Sequence, residues 1–275
     1  WGGRMAGFPR AFQVQRGVQP GQLMVVAHAD DESLFGGDLI GAQDGPGWLV
    51  VVAAFPKESG EQAAREAELL EAMRLCPRVA EVRILGFPEC SRCAPQHPAL
   101  HDDLAALLAA APWQRVVTHG AFGEYGHPQH RELFLSVTAL APAHLEVWTF
   151  QPDNAQPGAE EVEARRLRQR LLSAYPSQRQ ILNLYWNWSG GTVHLSRFSS
   201  RQARRVCAAG AGSAPYYRRT CDEPKGWWPG PAGTALLRWD ARAYPLQHLA
   251  RELAQTADVG LFGLPRLRRF LYGSA

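Results

Sequence analysis

The chain has 275 residues, 46% hydrophobic and 20% charged, a globular composition with room for one large domain or one domain and an appendage. Its formal net charge of +3 is too small to imply nucleic-acid or membrane-surface binding by bulk charge, and no apolar stretch approaches the ~20 residues that span a bilayer. Five cysteines spread thinly do not make a disulfide framework. Cys90-Ser91-Arg92-Cys93 is a lone CxxC, and Cys207 and Cys221 are poorly spaced to complete a structural zinc site. The cysteines are therefore read as reduced or incidentally paired. Residues 1–20 are polar and glycine-rich without a signal-peptide pattern, so an N-terminal extension and a cytoplasmic location are expected.

Leu23-Met24-Val25-Val26-Ala27 is a short Val-rich run, as in a buried parallel strand. It ends in His28-Ala29-Asp30-Asp31-Glu32 and then Gly36-Gly37. The pattern next predicts a helix over 34–43, broken at Gly45-Pro46-Gly47, and a strand over 48–55. A helix over 61–75, a strand over 82–85, a helix over 100–110 and a strand over 115–118 follow. Residues 128–139 read as a helix, 144–150 as a strand and 160–173 as an Arg-rich helix, with a further helix considered over 175–184. Beyond residue 189 the pattern weakens. Residues 207–233 read as irregular loops and 240–254 as a helix. Alternating strands and helices at this pace predict an α/β fold: a Rossmann-like three-layer sandwich with a mostly parallel sheet. No GxGxxG follows the first strand, so a dinucleotide site is not supported. The expected division is 1–20 as extension, 21–184 as catalytic domain and 185–275 as a C-terminal appendage or lid.

In an open α/β sheet the chemistry lies at the carboxyl ends of the strands. His28, Asp30 and Asp31 fall at such an end. Burying them without partners is costly, and a cation relieves the cost. Histidine and carboxylate are both zinc ligands, and a catalytic zinc usually takes three protein ligands plus water. The cluster supplies two and lacks one His. Taken alone, an acidic pair after a strand is as well explained by a helix cap or a solvated loop. A second cluster decides between these readings. The strand 115–118 runs into Thr118-His119-Gly120-Ala121-Phe122-Gly123-Glu124-Tyr125-Gly126-His127-Pro128-Gln129-His130-Arg131. Pro128 suits a first helical turn, and His127 and His130, three apart, face the same edge.

These stretches resemble the PIG-L/LmbE-like zinc-dependent N-deacetylases. His28-Ala29-Asp30-Asp31-Glu32 is similar to the family's AHPDDE motif, residues 123–131 to GEYGHPDHR, and Arg65-Glu66-Ala67-Glu68-Leu69 to its RxxEL stretch. The resemblance covers roughly residues 22–183. It implies His28, Asp31 and His130 as ligands of one Zn2+ or another divalent transition metal, and Asp30 as general base. It further implies His127 as donor to the oxyanion or leaving amine, Tyr125 as its helper, and Arg65 as a sugar contact. Read alone, Arg65 lies on a charged, solvated helix face. Two positions depart from the family: Ala29 stands for Pro, and Gln129 for Asp, which leaves His127 without a carboxylate neighbour.

The implied activity is removal of an N-acetyl or related N-acyl group from an amino sugar or its conjugate, a small-molecule partner. Two other classes compete. A non-haem Fe(II) oxygenase would use His28, Asp30 and a distant His as its triad. A non-catalytic carbohydrate-binding protein would keep the fold, with aromatics such as Trp186, Trp188, Tyr216, Tyr217, Trp227 and Trp228 as stacking platforms. Those aromatics, and the Arg group at 201, 204 and 205, are otherwise read as anchors and a solvated face.

Overall fold

The structure is a computed structural model and describes residues 4–89, 98–120, 124, 127–145, 147–152, 159–179, 182 and 193–198. Its elements run β1 (Arg10–Gln13), β2 (Pro20–Val26), α1 (Asp31–Leu34), α2 (Gly37–Ile40), β3 (Gly47–Phe55), α3 (Ser59–Arg74) and β4 (Val79–Pro88). Then come α4 (Pro98–Ala109), β5 (Arg115–Thr118), α5 (Pro128–Leu140), β6 (Val147–Pro152), α6 (Ala159–Ser173), a 3-10 turn at Pro176–Gln178, and β7 (Val193–Phe198).

The strands form one sheet in the order β1-β4-β3-β2-β5-β6-β7, parallel except for the two outer pairs. β2 and β3 are apolar on both faces because helices cover both. On one face Leu23, Val25, Leu49 and Val51 pack with Leu104 of α4 and Leu133 and Val137 of α5. On the other, Met24, Val26, Val50 and Val52 pack with Leu69 and Met73 of α3 and Leu171 of α6. From β2 the chain winds outward through β3 and β4. It then returns to the other side of β2 as β5 and continues to β6. The strand order therefore reverses between β2 and β5, and the crevice at their carboxyl ends is where such sheets bind ligands.

Several boundaries differ from those read in the sequence. The expected helix over 34–43 is two short ones, α1 and α2, parted at Gly36. That glycine lies tight on β2: a Cβ there would come 2.5 Å from Met24 Cε and 2.9 Å from the Glu32 carbonyl oxygen. Residues 10–13, within the expected extension, are an edge strand on β4, and β4 is longer than the run 82–85. Over 175–184 the described residues hold the 3-10 turn, followed by Arg179 and Leu182 in helical conformation. β7 was not expected from the pattern. The CxxC, Cys207 and Cys221, the aromatics and Arg group named above, and the helix 240–254 lie outside the described residues, as do the loops 207–233. Among the described residues no helix is long and apolar enough to cross a membrane.

Candidate metal centre and active site

The loop after β2 is shaped by its own carboxylates. Asp30 has φ 132°, a region L-residues rarely adopt and one that costs roughly 1–3 kcal/mol. The loop's hydrogen bonds offset this strain. Glu32 Oε2 accepts the Asp30 N–H at 3.0 Å, and the Asp30 carbonyl accepts from Ser33 and Leu34 at 3.0 and 2.8 Å. Glu32 is itself fully buried, and its Oε1 accepts from Ser33 Oγ at 2.7 Å and from Tyr175 Oη. The turn points the two adjacent aspartates apart. Asp31 Oδ2 accepts the His28 N–H at 2.8 Å and faces the imidazoles. Asp30 Oδ2 lies 3.7 Å from Arg65 Nη1.

The loop after β5 is organised by Glu124, held at φ 54° and buried. Its Oε2 accepts from His119 Nδ1 at 2.8 Å and His130 Nδ1 at 2.7 Å, and its Oε1 from the Gly120 N–H at 2.7 Å. One carboxylate thus fixes two tautomers, leaving Nε2 of both rings as lone-pair nitrogens. His119 Nε2 accepts the Ala27 N–H at 2.9 Å, which ties the loop to the end of β2. His130 Nε2 turns instead to the aspartate loop. His127 caps α5, its Nδ1 accepting from the Gln129 N–H at 3.3 Å, so Nε2 carries its proton.

Three atoms converge. His28 Nδ1, Asp31 Oδ2 and His130 Nε2 lie 3.2 Å from one another on all three sides. Donors ~2.0–2.1 Å from a tetrahedral zinc are separated by about 3.3 Å, so the triangle fits that ion with one position left for water. Three lone-pair atoms at this distance repel unless a proton or a cation lies among them. Correspondingly, although burial disfavours a charged imidazole, Asp31 outweighs it and pushes His28 up to about 9. Burial also works against the Asp31 carboxylate, but His130 and His119 hold it well below the usual range. Two other donor sets share His130: one with His28 and His127, one with Asp31 and His119. The second has its His119 nitrogen already engaged by Ala27.

Burial raises Asp30 well above an ordinary carboxylate, against the pull of Arg65. Burial, then the rings of His28 and His130, hold His127 well below an ordinary imidazole. Arg65 is not solvated: it is 2% exposed, between Asp30 and Glu89, whose Oε1 is 3.9 Å from Nη2. Its Nε and Nη1 have no hydrogen-bond partner among the described residues. The structure thus brings together His28, Asp30, Asp31, Arg65, His127 and His130; Tyr125 lies outside the described residues. Sequence reasoning missed His119, Glu89 and Tyr175. It quoted Glu124 and Gln129 in the motif without a role for Glu124. A signal for His119 existed: it is the first ionisable residue past β5, as His28 is past β2.

Residues 23–141 match the model of the family described as PIG-L: GlcNAc-PI de-N-acetylase. A 1D-myo-inositol 2-acetamido-2-deoxy-alpha-D-glucopyranoside deacetylase of Actinosynnema mirum is 31% identical over 157 residues, 45% of this chain and 56% of that protein. The chain therefore spans about half the length of that relative. An uncharacterized protein of Acanthamoeba polyphaga mimivirus is 24% identical over 173 residues, 58% of this chain and 73% of that protein. Among solved structures, GalB, the 4-carboxy-2-hydroxymuconate hydratase from Pseudomonas putida, has a TM-score of 0.46 at 16% identity, covering 76% of this chain and 92% of that one. A conserved protein from Thermus thermophilus has a TM-score of 0.44 at 20% identity, covering 66% and 94%. The match to the PIG-L family model, over residues 23–141, takes in both loops of the site.

Proposed function

We propose that the protein is a metal-dependent N-deacetylase that hydrolyses the acetamide of an amino sugar or amino-sugar conjugate. The family match and the deacetylase relative support the reaction class. The observation that carries metal dependence is the 3.2 Å triangle of His28, Asp31 and His130. A divalent ion held there, with zinc best suited to two imidazoles and a carboxylate, supplies a lowered pKa for bound water and polarises the amide carbonyl.

The remaining steps belong to the chain's own residues. Asp30, beside the triangle, takes a proton from the water that attacks the acetyl carbon. Its raised pKa suits it both to accept that proton and to pass it on. His127 is neutral and carries its proton on Nε2, so it donates a hydrogen bond to the developing oxyanion. The C–N bond then breaks, the amine takes the proton from Asp30, and acetate leaves. Arg65 offers to a sugar hydroxyl the N–H groups that have no partner among the described residues, and its charge draws the Asp30 pKa down against burial. Tyr125 assists His127 on the strength of the resemblance. β7 places residues 193–198 of the expected appendage in the sheet itself, and the rest of 185–275 is proposed to set substrate choice.

The His28-x-Asp30 form of the iron-oxygenase alternative is less well supported, because Asp30 Oδ2 lies 3.7 Å from Arg65 Nη1 while Asp31 Oδ2 lies 3.2 Å from both His28 Nδ1 and His130 Nε2. The test is acetate release from a panel of N-acetylated amino sugars, with chelator and with metal restored. Release that stops with chelator and returns with zinc is expected. A protein that binds these sugars and releases no acetate under either condition is a binding module, and the proposal fails.

A further inference from the structure

His28 and His130 stand on the same triangle but are oriented by different chemistry. His130 gives its Nδ1–H to a carboxylate, Glu124. The far nitrogen of His28, Nε2, lies 2.9 Å from the amide oxygen of Gln129. The amide nitrogen of Gln129 lies 2.9 Å from the carbonyl oxygen of Pro88, at the end of β4. A carbonyl oxygen only accepts, so the amide NH2 must face Pro88 and the amide oxygen must face His28. The flipped amide would set its oxygen against the Pro88 oxygen. An amide oxygen also only accepts, so His28 Nε2 carries the proton. Nδ1 is then the lone-pair nitrogen, and it is Nδ1 that stands 3.2 Å from both Asp31 Oδ2 and His130 Nε2.

We propose that Gln129 is a positioning residue. Anchored on Pro88, it fixes the Nε2–H tautomer of His28 and presents Nδ1 to the metal. The purpose rests on the metal reading above; the tautomer does not. Gln129 is 8% exposed, so water does not readily take its place. The resembled motif has Asp here, and a carboxylate has no donor for the Pro88 carbonyl. A neutral amide performs both tasks without adding negative charge to a site that already holds Asp30, Asp31, Glu89 and Glu124. Removing the acceptor behind a metal-bound imidazole typically weakens metal binding about 10–100-fold.

The test reads which ring nitrogen of His28 is protonated, by long-range nitrogen–proton correlation in the zinc-loaded protein with labelled histidine. Wild type should show Nε2–H, and so should Gln129→Glu, whose carboxylate still accepts. Gln129→Met keeps the length but not the oxygen, and should bind zinc about 10–100-fold more weakly in competition with a chelating dye. Its thermal melt is recorded alongside; should it not fold, the wild-type tautomer still decides. Nδ1–H in wild type, or undiminished zinc affinity in a folded Gln129→Met, overturns the assignment. Wild type that takes up no zinc overturns the metal reading instead. The tautomer is then read on metal-free protein at a pH where the ring's own nitrogen shifts show a single bound proton. There Nε2–H sustains the proposal and Nδ1–H ends it.

Discussion

The loops after β2 and β5 meet at one point and are built on opposite plans. The first is local: His28, Asp30, Asp31 and Glu32 lie within five residues, and their hydrogen bonds run mostly to one another. The second reaches outward, from His119 to the Ala27 amide, from Glu124 to two imidazoles, and from Gln129 to His28 and Pro88. The first loop supplies carboxylate charge in a strained turn. The second fixes where the rings aim. A change at Asp30 should therefore strike the chemistry, and a change at Glu124 or Gln129, which only aim the rings, the affinity for metal and the stability of the site.

The largest effect is expected from Asp30→Asn. It keeps the fold and the triangle but removes the proposed base, and should lower turnover by roughly 10²–10⁴. The loss should fall on kcat more than on KM, because proton removal matters in the transition state. Steady-state kinetics on the best substrate of the panel measure it. Equal turnover in the variant would place the base elsewhere.

Glu124→Gln probes the second loop. With the carboxylate shared by two imidazoles gone, metal affinity should fall about 10–100-fold while kcat at saturating metal changes less. The same residue gives the metal-free protein an acid limb. Burial alone would raise the Glu124 pKa, but His119 and His130 outweigh it and hold it at about 2, against an ordinary 4.5. A depressed carboxylate contributes stability above its unfolded pKa and loses it as pH falls through the folded one. Wild-type stability should therefore fall between about pH 4.5 and 2, by an amount on the order of 3 kcal/mol, and Glu124→Gln should flatten that limb. Denaturant unfolding across this pH range reads it.

Tyr175→Phe is expected to do least to turnover. It removes one donor from buried Glu32 and leaves Ser33 and the Asp30 amide in place. A loss of about 1–3 kcal/mol in stability, read by denaturant unfolding, follows from the missing hydrogen bond. A loss of turnover as large as that of Asp30→Asn would mean that Tyr175 acts in the chemistry itself.

Much of this was legible because the loops sit at strand ends marked by Val-rich runs and glycines. The parallel order and the carboxyl-edge placement of His28, Asp31 and His130 follow from those runs and from the Pro128 helix start. The separation of Asp30 from Asp31 was foreseen by resemblance; its physical cause, the turn at φ 132°, has no mark in the sequence. Partners distant along the chain were invisible for the same reason. His119 with Ala27, Tyr175 with Glu32, and Gln129 with Pro88 are separated by 92, 143 and 41 residues, and no local period encodes them. The edge strand β1 escaped notice because its alternation spans only four residues. Arg65 was misjudged as solvated by itself because the charged pattern of α3 conceals the one arginine turned inward.

The central claim is that two adjacent aspartates divide the work, one facing the metal and the other the water. Elemental analysis of chelator-free wild type, Asp30→Asn and Asp31→Asn, purified side by side, tests it most directly. About one zinc per chain is expected in wild type and Asp30→Asn, and little in Asp31→Asn, whose neutral amide is the poorer ligand. Zinc retained by Asp31→Asn and lost from Asp30→Asn would contradict it.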